Sequence, residues 1–143
     1  MLHVAIIRAD LVREMLAGAK TIESRLSRAR RAPFGCVQPG ERIYFKITGG
    51  PFAATALVHR VDSFDNLEPA DIRAIRRLYN PRIRGAHPYW HAKRLSRFAS
   101  LFWLEQIQPI SRGPSLELIP HWQPRSAWCT IPESMHIHTI QAA

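Results

Sequence analysis

The chain has 143 residues, 46% of them hydrophobic and 22% charged, close to globular averages, which excludes a disordered or fibrous class and suits one domain over residues 1–143. A chain of this length buries about two thirds of the surface its unfolded form exposes, so no disulfide or metal staple is required. Twenty Lys and Arg against eleven Asp and Glu give a net charge of +9 and a pI near 10.8, which points to a polyanionic partner. Most of the excess is arginine, whose planar fork suits phosphate.

No apolar run reaches the roughly 18 residues that cross a bilayer, and "MLHVAIIRADLVREM" is broken by Arg8 and Asp10 too early for a signal peptide. The expected compartment is the cytoplasm, with no membrane partner and no obligate protein partner in view. Cys36 and Cys129, far apart in sequence, are expected as two unpaired thiols.

"LHVAIIR" (2–8) is a short β-branched run that reads as a buried strand, and "ADLVREMLAG" (9–18) follows with Leu11, Val12, Met15 and Leu16 on one helical face. Asp10 can cap the start of this helix, and Gly18 stands where a left-handed C-cap would go. "KTIESRL" (20–26) is extended in character. "RARRAPFGCVQPGE" (28–41) reads as a loop whose "QPGE" turns into a strand at "RIYFKI" (42–47). "TGGP" then joins that strand to a long β run, "FAATALVHRVDSF" (52–64), as a hairpin.

"LEPADIRAIRRLY" (67–79) reads as a helix beginning near Pro69, with Ile72, Ile75 and Leu78 inward and its arginines outward. "NPRIRGAHP" (80–88) reads as a basic loop before a short helix at "PYWHAKRL" (88–95). "FASLFWLEQIQPI" (98–110) is a strand, residues 111–126 are a proline-rich connection, and "AWCTI" (127–131) is a last strand. The sum is an α+β fold: a small barrel or curved mixed sheet flanked by two to four helices. No glycine-rich phosphate loop or dinucleotide fingerprint is present, which removes the nucleoside-triphosphate classes.

Three features carry chemistry. In "GAKTIESR" (18–25), strand alternation places Glu23 and Arg25 on one face and Lys20 on the other. The turn at Gly18 leaves Lys20 outside regular pairing, free to swing toward Glu23. Spacing alone leaves open a carboxylate between two cations that only staples the helix end to the sheet. In "RIYFKI", Tyr44 and Lys46 share a face with Arg42, a phosphate-and-stacking surface if it meets a cleft and an ordinary amphipathic strand if it meets solvent. In "HPYWHAKR" (87–94), Tyr89 and Trp90 interleave with His87, His91, Lys93 and Arg94, as single-stranded RNA recognition requires. Tyr89 is the better candidate for an exposed role. Trp103, Trp122 and Trp128 read as packing, and "HIH" (136–138) without a partner carboxylate is too weak for a metal site. Residues 71–97 hold eight basic residues against Asp71 alone, a basic patch at least in sequence.

"GAKTIESR" fits Gly-x-Lys-x-x-Glu-x-Arg, and on that basis the sequence resembles the ASCH family, small domains similar in fold to RNA-binding PUA domains. "VQPGERIYFKITGG", "YWHAKRLSRFASLFWL" and "SAWCTI" extend the resemblance over about residues 3 to 131. It implies a PUA-like β-barrel with outer helices and a basic cleft for RNA or a nucleotide, lined by Gly18, Lys20, Glu23 and Arg25. Ser126 is drawn toward the ligand by the resemblance alone. Thr21, Ser24 and Arg28, which flank the motif, complete the expected binding set with Tyr44, Lys46, Tyr89, Lys93 and Arg94.

Family members bind RNA, cleave single-stranded RNA, or hydrolyse the amide of acetylated cytidine. The amidohydrolases use a lysine, a threonine and a glutamate. Lys20 matches the lysine, but Glu23 stands where the threonine would be, Thr21 points elsewhere, and the glutamate could only be Glu68 or Asp71. Metal-independent ribonuclease chemistry is easier to assemble: Glu23 as base for the 2′-hydroxyl, Lys20, Arg25 and Lys46 on the phosphate, and Lys20 with a lowered pKa as acid. The sequence therefore leads to an RNA- or nucleotide-binding protein with ribonuclease activity, needing no cofactor and no metal. The alternatives are an acetylcytidine amidohydrolase, an RNA-binding module without catalysis, and a sensor of a small nucleotide.

Overall fold

The computed structural model describes residues 1–119, Trp122 and residues 126–132. The "HIH" histidines lie outside them. Six strands, β1 (Leu2–Ile7), β2 (Ile22–Ser27), β3 (Arg42–Ile47), β4 (Phe52–Phe64), β5 (Phe98–Pro109) and β6 (Trp128–Ile131), form one mixed sheet in the order β2-β5-β4-β3-β1-β6. The helices are α1 (Ala9–Leu16), α2 (Pro69–Ile83) and α3 (His87–Ala92). This is the α+β architecture expected from the pattern, a curled half-barrel with three flanking helices.

β1 lies parallel to β3 and antiparallel to β6. Buried on both faces, it is apolar almost throughout rather than alternating. β3 and β4 form the expected hairpin, and β4 continues past β3 to pair with β5. Ala5, Phe45, Ala56, Val58 and Phe102 close a core under α1, into which Val12 and Met15 point. A second core joins β2 and β5 to α2 and α3 through Ile22, Leu101, Ile75, Ile83 and Trp90.

The structure corrects several local expectations. Asp10 does not cap α1: the helix starts at Ala9 with Arg8 as N-cap, and Asp10 accepts from the Arg8 side chain instead. α2 runs on through Pro81 to Ile83, where a loop was expected. Pro81 sits in the final turn, where one missing amide is tolerable, and burial of Ile83 holds that turn down. Leu78 points outward, 63% exposed. The inward stripe is Ile72, Ile75, Tyr79 and Ile83, and Leu78 falls about 100° from its centre at the pitch of an α-helix. Cys36 and Cys129 are free thiols, as expected. Among the described residues no helix is long and apolar enough to cross a membrane.

Candidate functional site

β2 and β6 are the two edges of the curled sheet, and a cleft of about 550 Å³ opens along the seam between them. Its walls come from the end of β1, from β2, from the 31–34 loop, from α3 and its C-cap Lys93, and from Ser126, Ala127 and Trp128. Because β2 is an edge strand, side chains from both of its faces reach the opening.

Of the Gly-x-Lys-x-x-Glu-x-Arg residues, Glu23 and Arg25 line this seam, Lys20 lies behind Glu23, and Gly18 sets the turn that leads into them. Gly18 takes a φ of +82° after α1, the left-handed turn that frees the chain from the helix. The backbone amides of Ala19 and Lys20 both return to the Glu14 carbonyl, which turns the Lys20 side chain inward. Only 1% of Lys20 is exposed. Its Nζ donates to the carbonyls of Ile22 and Ile83, each at 2.8 Å, and lies 3.3 Å from Glu23 Oε1. The three donors of the ammonium are thereby used. Burial lowers the Lys20 pKa, with the Glu23 carboxylate pulling the other way.

Glu23 is equally committed. Its Oε1 also accepts from the Ser24 amide at 3.0 Å, and its Oε2 accepts from Arg25 Nη2 at 3.0 Å. Burial alone would raise its pKa, but Lys20 and Arg25 outweigh it and hold the carboxyl below its ordinary value. Arg25 crosses the seam. Nη2 also donates to the Ile6 carbonyl at 2.9 Å, Nη1 donates to the Ala127 carbonyl at 3.3 Å, and the guanidinium carbon lies 5.3 Å from the centre of the Trp128 ring. One side chain thus ties β2 to β1 and to the residue before β6. Its Nε–H and one Nη1–H stay uncommitted among the described residues.

Trp128 is fixed from behind by His3, which is fully buried. The indole Nε1–H donates to His3 Nδ1 at 3.2 Å, so that nitrogen carries no proton. His3 Nε2–H accordingly donates to Glu41 Oε1 at 3.0 Å. Burial lowers the His3 pKa despite the Glu41 carboxylate, which opposes it.

On the facing wall, Ser24 Oγ and the Tyr89 hydroxyl lie 2.7 Å apart. Burial raises the phenol pKa well above its ordinary value, so Tyr89 is a neutral partner. One helical turn on, Lys93 reaches the same cleft. Its ammonium makes no hydrogen bond or ion pair among the described residues. Partial burial and then the nearby charges of Arg25 and Arg31 lower its pKa. Arg31 is exposed and likewise without a carboxylate partner among the described residues.

Of the residues singled out from sequence, the cleft gathers Glu23, Ser24, Arg25, Tyr89, Lys93 and Ser126. Lys20 lies behind Glu23, Gly18 is exposed beside α1, and neither lines the cleft. The Thr21 hydroxyl is buried without a partner among the described residues. Arg28 and Arg94 are exposed outside the cleft, with Arg94 donating to the His91 carbonyl. Tyr44 packs edge-on against Phe52 in a small core with Leu2 and Val4, and Lys46 lies alongside it on β3. The Tyr44 and Lys46 face does not line the cleft, and both side chains are partly exposed. Glu68 and Asp71 form the capping box of α2.

Sequence reasoning missed Arg31, Phe34 and Trp128 as cleft walls. Arg31 stood in a recognisable basic run. Trp128 gave no signal beyond packing, a role it also fills, at 8% exposure. The basic stretch 71–97 is split up in space, and of its eight cations only Lys93 lines the cleft. Among the described residues no three His, Cys, Asp or Glu side chains are grouped to hold a metal.

A curled mixed sheet with outer helices and a cleft at its seam defines a PUA-like α+β fold. Comparison with solved structures makes this specific. The structure is similar to that of the ASCH protein from Zymomonas mobilis, with a TM-score of 0.67 and 16% identity over 93% of this chain and 89% of that one. A serine-to-alanine variant of that protein matches at the same TM-score, with 18% identity over 92% of this chain and 89% of that one. The N-terminal domain of Staphylothermus marinus McrB is similar at a TM-score of 0.51 and 12% identity, covering 99% of this chain and 93% of that one. The chain has the ASCH domain fold. No protein-family model matches the sequence, and no curated protein matches it either.

Proposed function

We propose that the seam cleft binds single-stranded RNA or a nucleotide, with phosphate held by Lys93, Arg31 and the free N–H groups of Arg25, and a base or ribose meeting Tyr89, Phe34 and Ser126. One observation carries this reading: a half-buried lysine without a partner among the described residues, flanked by two arginines, in a concavity that also offers aromatic and hydroxyl groups. Leaving an ammonium unpaired between like charges is unfavourable, and an anion relieves it. Aromatic walls beside cations suit a nucleotide better than a simple anion.

Binding stands ahead of cleavage. Both oxygens of Glu23 are engaged and the Lys20 donors are spent, so base and acid would have to leave strong partners before reacting. If this cleft cleaves RNA, Lys93 is the acid, the one cation there with an uncommitted proton and a lowered pKa. Amide hydrolysis draws least support, because Lys20 is enclosed and the Thr21 hydroxyl does not line the cleft.

Fluorescence anisotropy with a labelled single-stranded RNA tests the reading. The protein binds, and Lys93→Ala weakens binding by about tenfold or more, the worth of a charge-assisted contact. Arg77→Ala, on the exposed side of α2, changes it little. Equal loss from both substitutions contradicts the assignment of the cleft. Incubation of the same RNA with a chelator present reads metal-independent cleavage separately, and in the cleaving case Lys93→Ala stops it.

A further inference from the structure

The cleft carries more positive charge than one internal phosphate requires. Glu23 is shared by Lys20 and Arg25, two cations against one carboxylate, and Arg8 is paired with Asp10. One charge of that trio, together with Arg31 and Lys93, remains in excess with no carboxylate but Glu23 on the cleft wall. A phosphodiester brings a single negative charge, whereas a phosphate monoester carries about −1.5 to −2 at neutral pH and offers three acceptor oxygens.

The shape of the cleft agrees. About 550 Å³ holds a ligand of one to two nucleotides rather than a run of them. Arg25 spans the seam from β2 to the carbonyls of Ile6 and Ala127, so a strand cannot thread between the sheet edges. It must end in the cleft or leave by the mouth through which it entered.

We infer that the cleft recognises a terminal phosphate monoester of an RNA strand, or of a free nucleotide, in preference to an internal phosphodiester, with Lys93, Arg31 and Arg25 as its three-sided clamp. This rests on the RNA or nucleotide reading above and narrows it to a substrate class. Lys93 supplies the inner charge, Arg31 the outer one, and Arg25 the donors left over from bridging the seam. Tyr89 and Phe34 are then placed beside the terminal nucleoside.

The test uses hexauridylates in two pairs at one fixed salt concentration: 3′-labelled strands ending in a 5′-phosphate or 5′-hydroxyl, and 5′-labelled strands ending in a 3′-phosphate or 3′-hydroxyl. The expected result is that, in at least one pair, the phosphorylated strand binds about tenfold or more tightly than its hydroxyl counterpart, as an added charge-assisted contact gives. Lys93→Ala erases that advantage, Lys93→Arg retains most of it, and Arg77→Ala leaves it intact. Equal affinity within both pairs overturns the inference while leaving RNA binding in place. Failure of wild-type protein to bind any of the four strands overturns the RNA reading as well.

Discussion

Lys20 shows how an assignment by motif and an assignment by geometry can separate at a single residue. Its three donors reach one carbonyl at the start of β2, one at the end of α2 and one carboxylate oxygen, all shielded from water. Truncation leaves those acceptors without their charge, so Lys20→Ala is expected to cost about 3 kcal/mol or more, in the range for breaking one side of a buried pair. Urea denaturation reads this, and an unchanged midpoint sinks the staple role. The spacing of the motif showed that Lys20, Glu23 and Arg25 could meet. It could not show that Lys20 would be enclosed, because the Ile83 carbonyl arrives from 63 residues further along the chain.

His3 makes the second prediction at this scale. It is neutral in the fold and its pKa is lowered, while in the unfolded chain it titrates near 6.5. Between the two values the unfolded chain binds more protons, so stability is complete above about 6.5 and falls as pH drops toward the folded pKa. Thermal unfolding from pH 8 to 5 shows this decline, and His3→Gln, though less stable at neutral pH, lacks that part of it. Parallel profiles contradict the assigned hydrogen bond from Trp128.

Among the elements, α2 was the one whose length and facing were hardest to read. Its N-terminal proline and buried isoleucines gave its start, but Pro81 suggested an early stop and Leu78 looked like a core position. What extends it is tertiary: Ile83 is buried, and the Asn80 side chain both accepts from the Gly85 amide and donates to its carbonyl. Leu78→Lys should accordingly change stability by no more than about 0.5 kcal/mol. Gly85→Ala should behave otherwise. A Cβ there comes within 2.9 Å of both the Trp90 indole nitrogen and the Tyr89 ring. Displacing Tyr89 disturbs its contact with Ser24, so the variant is expected to lose both melting temperature and RNA affinity. Strands were read more faithfully than helices, since β1, β3, β4 and β5 each carry a continuous or alternating apolar pattern that burial on a sheet imposes directly.

For the whole molecule, the net charge of +9 is distributed unevenly, and two surfaces are candidates for the proposed polyanion. One is the seam cleft. The other is the exposed side of α2, where Arg73 and Arg77 project, while Arg82 lies on another flank, stacked on Trp103. Composition could announce a polyanion but not choose between these surfaces, because concavity arises only when β2 and β6 curl toward each other. In the proposed reading the cleft takes the RNA through Lys93, which has no partner among the described residues, not through the number of its charges. The most direct measurement is a titration of isotope-labelled protein with single-stranded RNA followed by amide chemical shifts. Binding in the seam cleft predicts shifts concentrated at residues 23–27, 31, 32, 34, 89–93 and 126–128. Shifts confined to α2, with the seam unmoved, would contradict it.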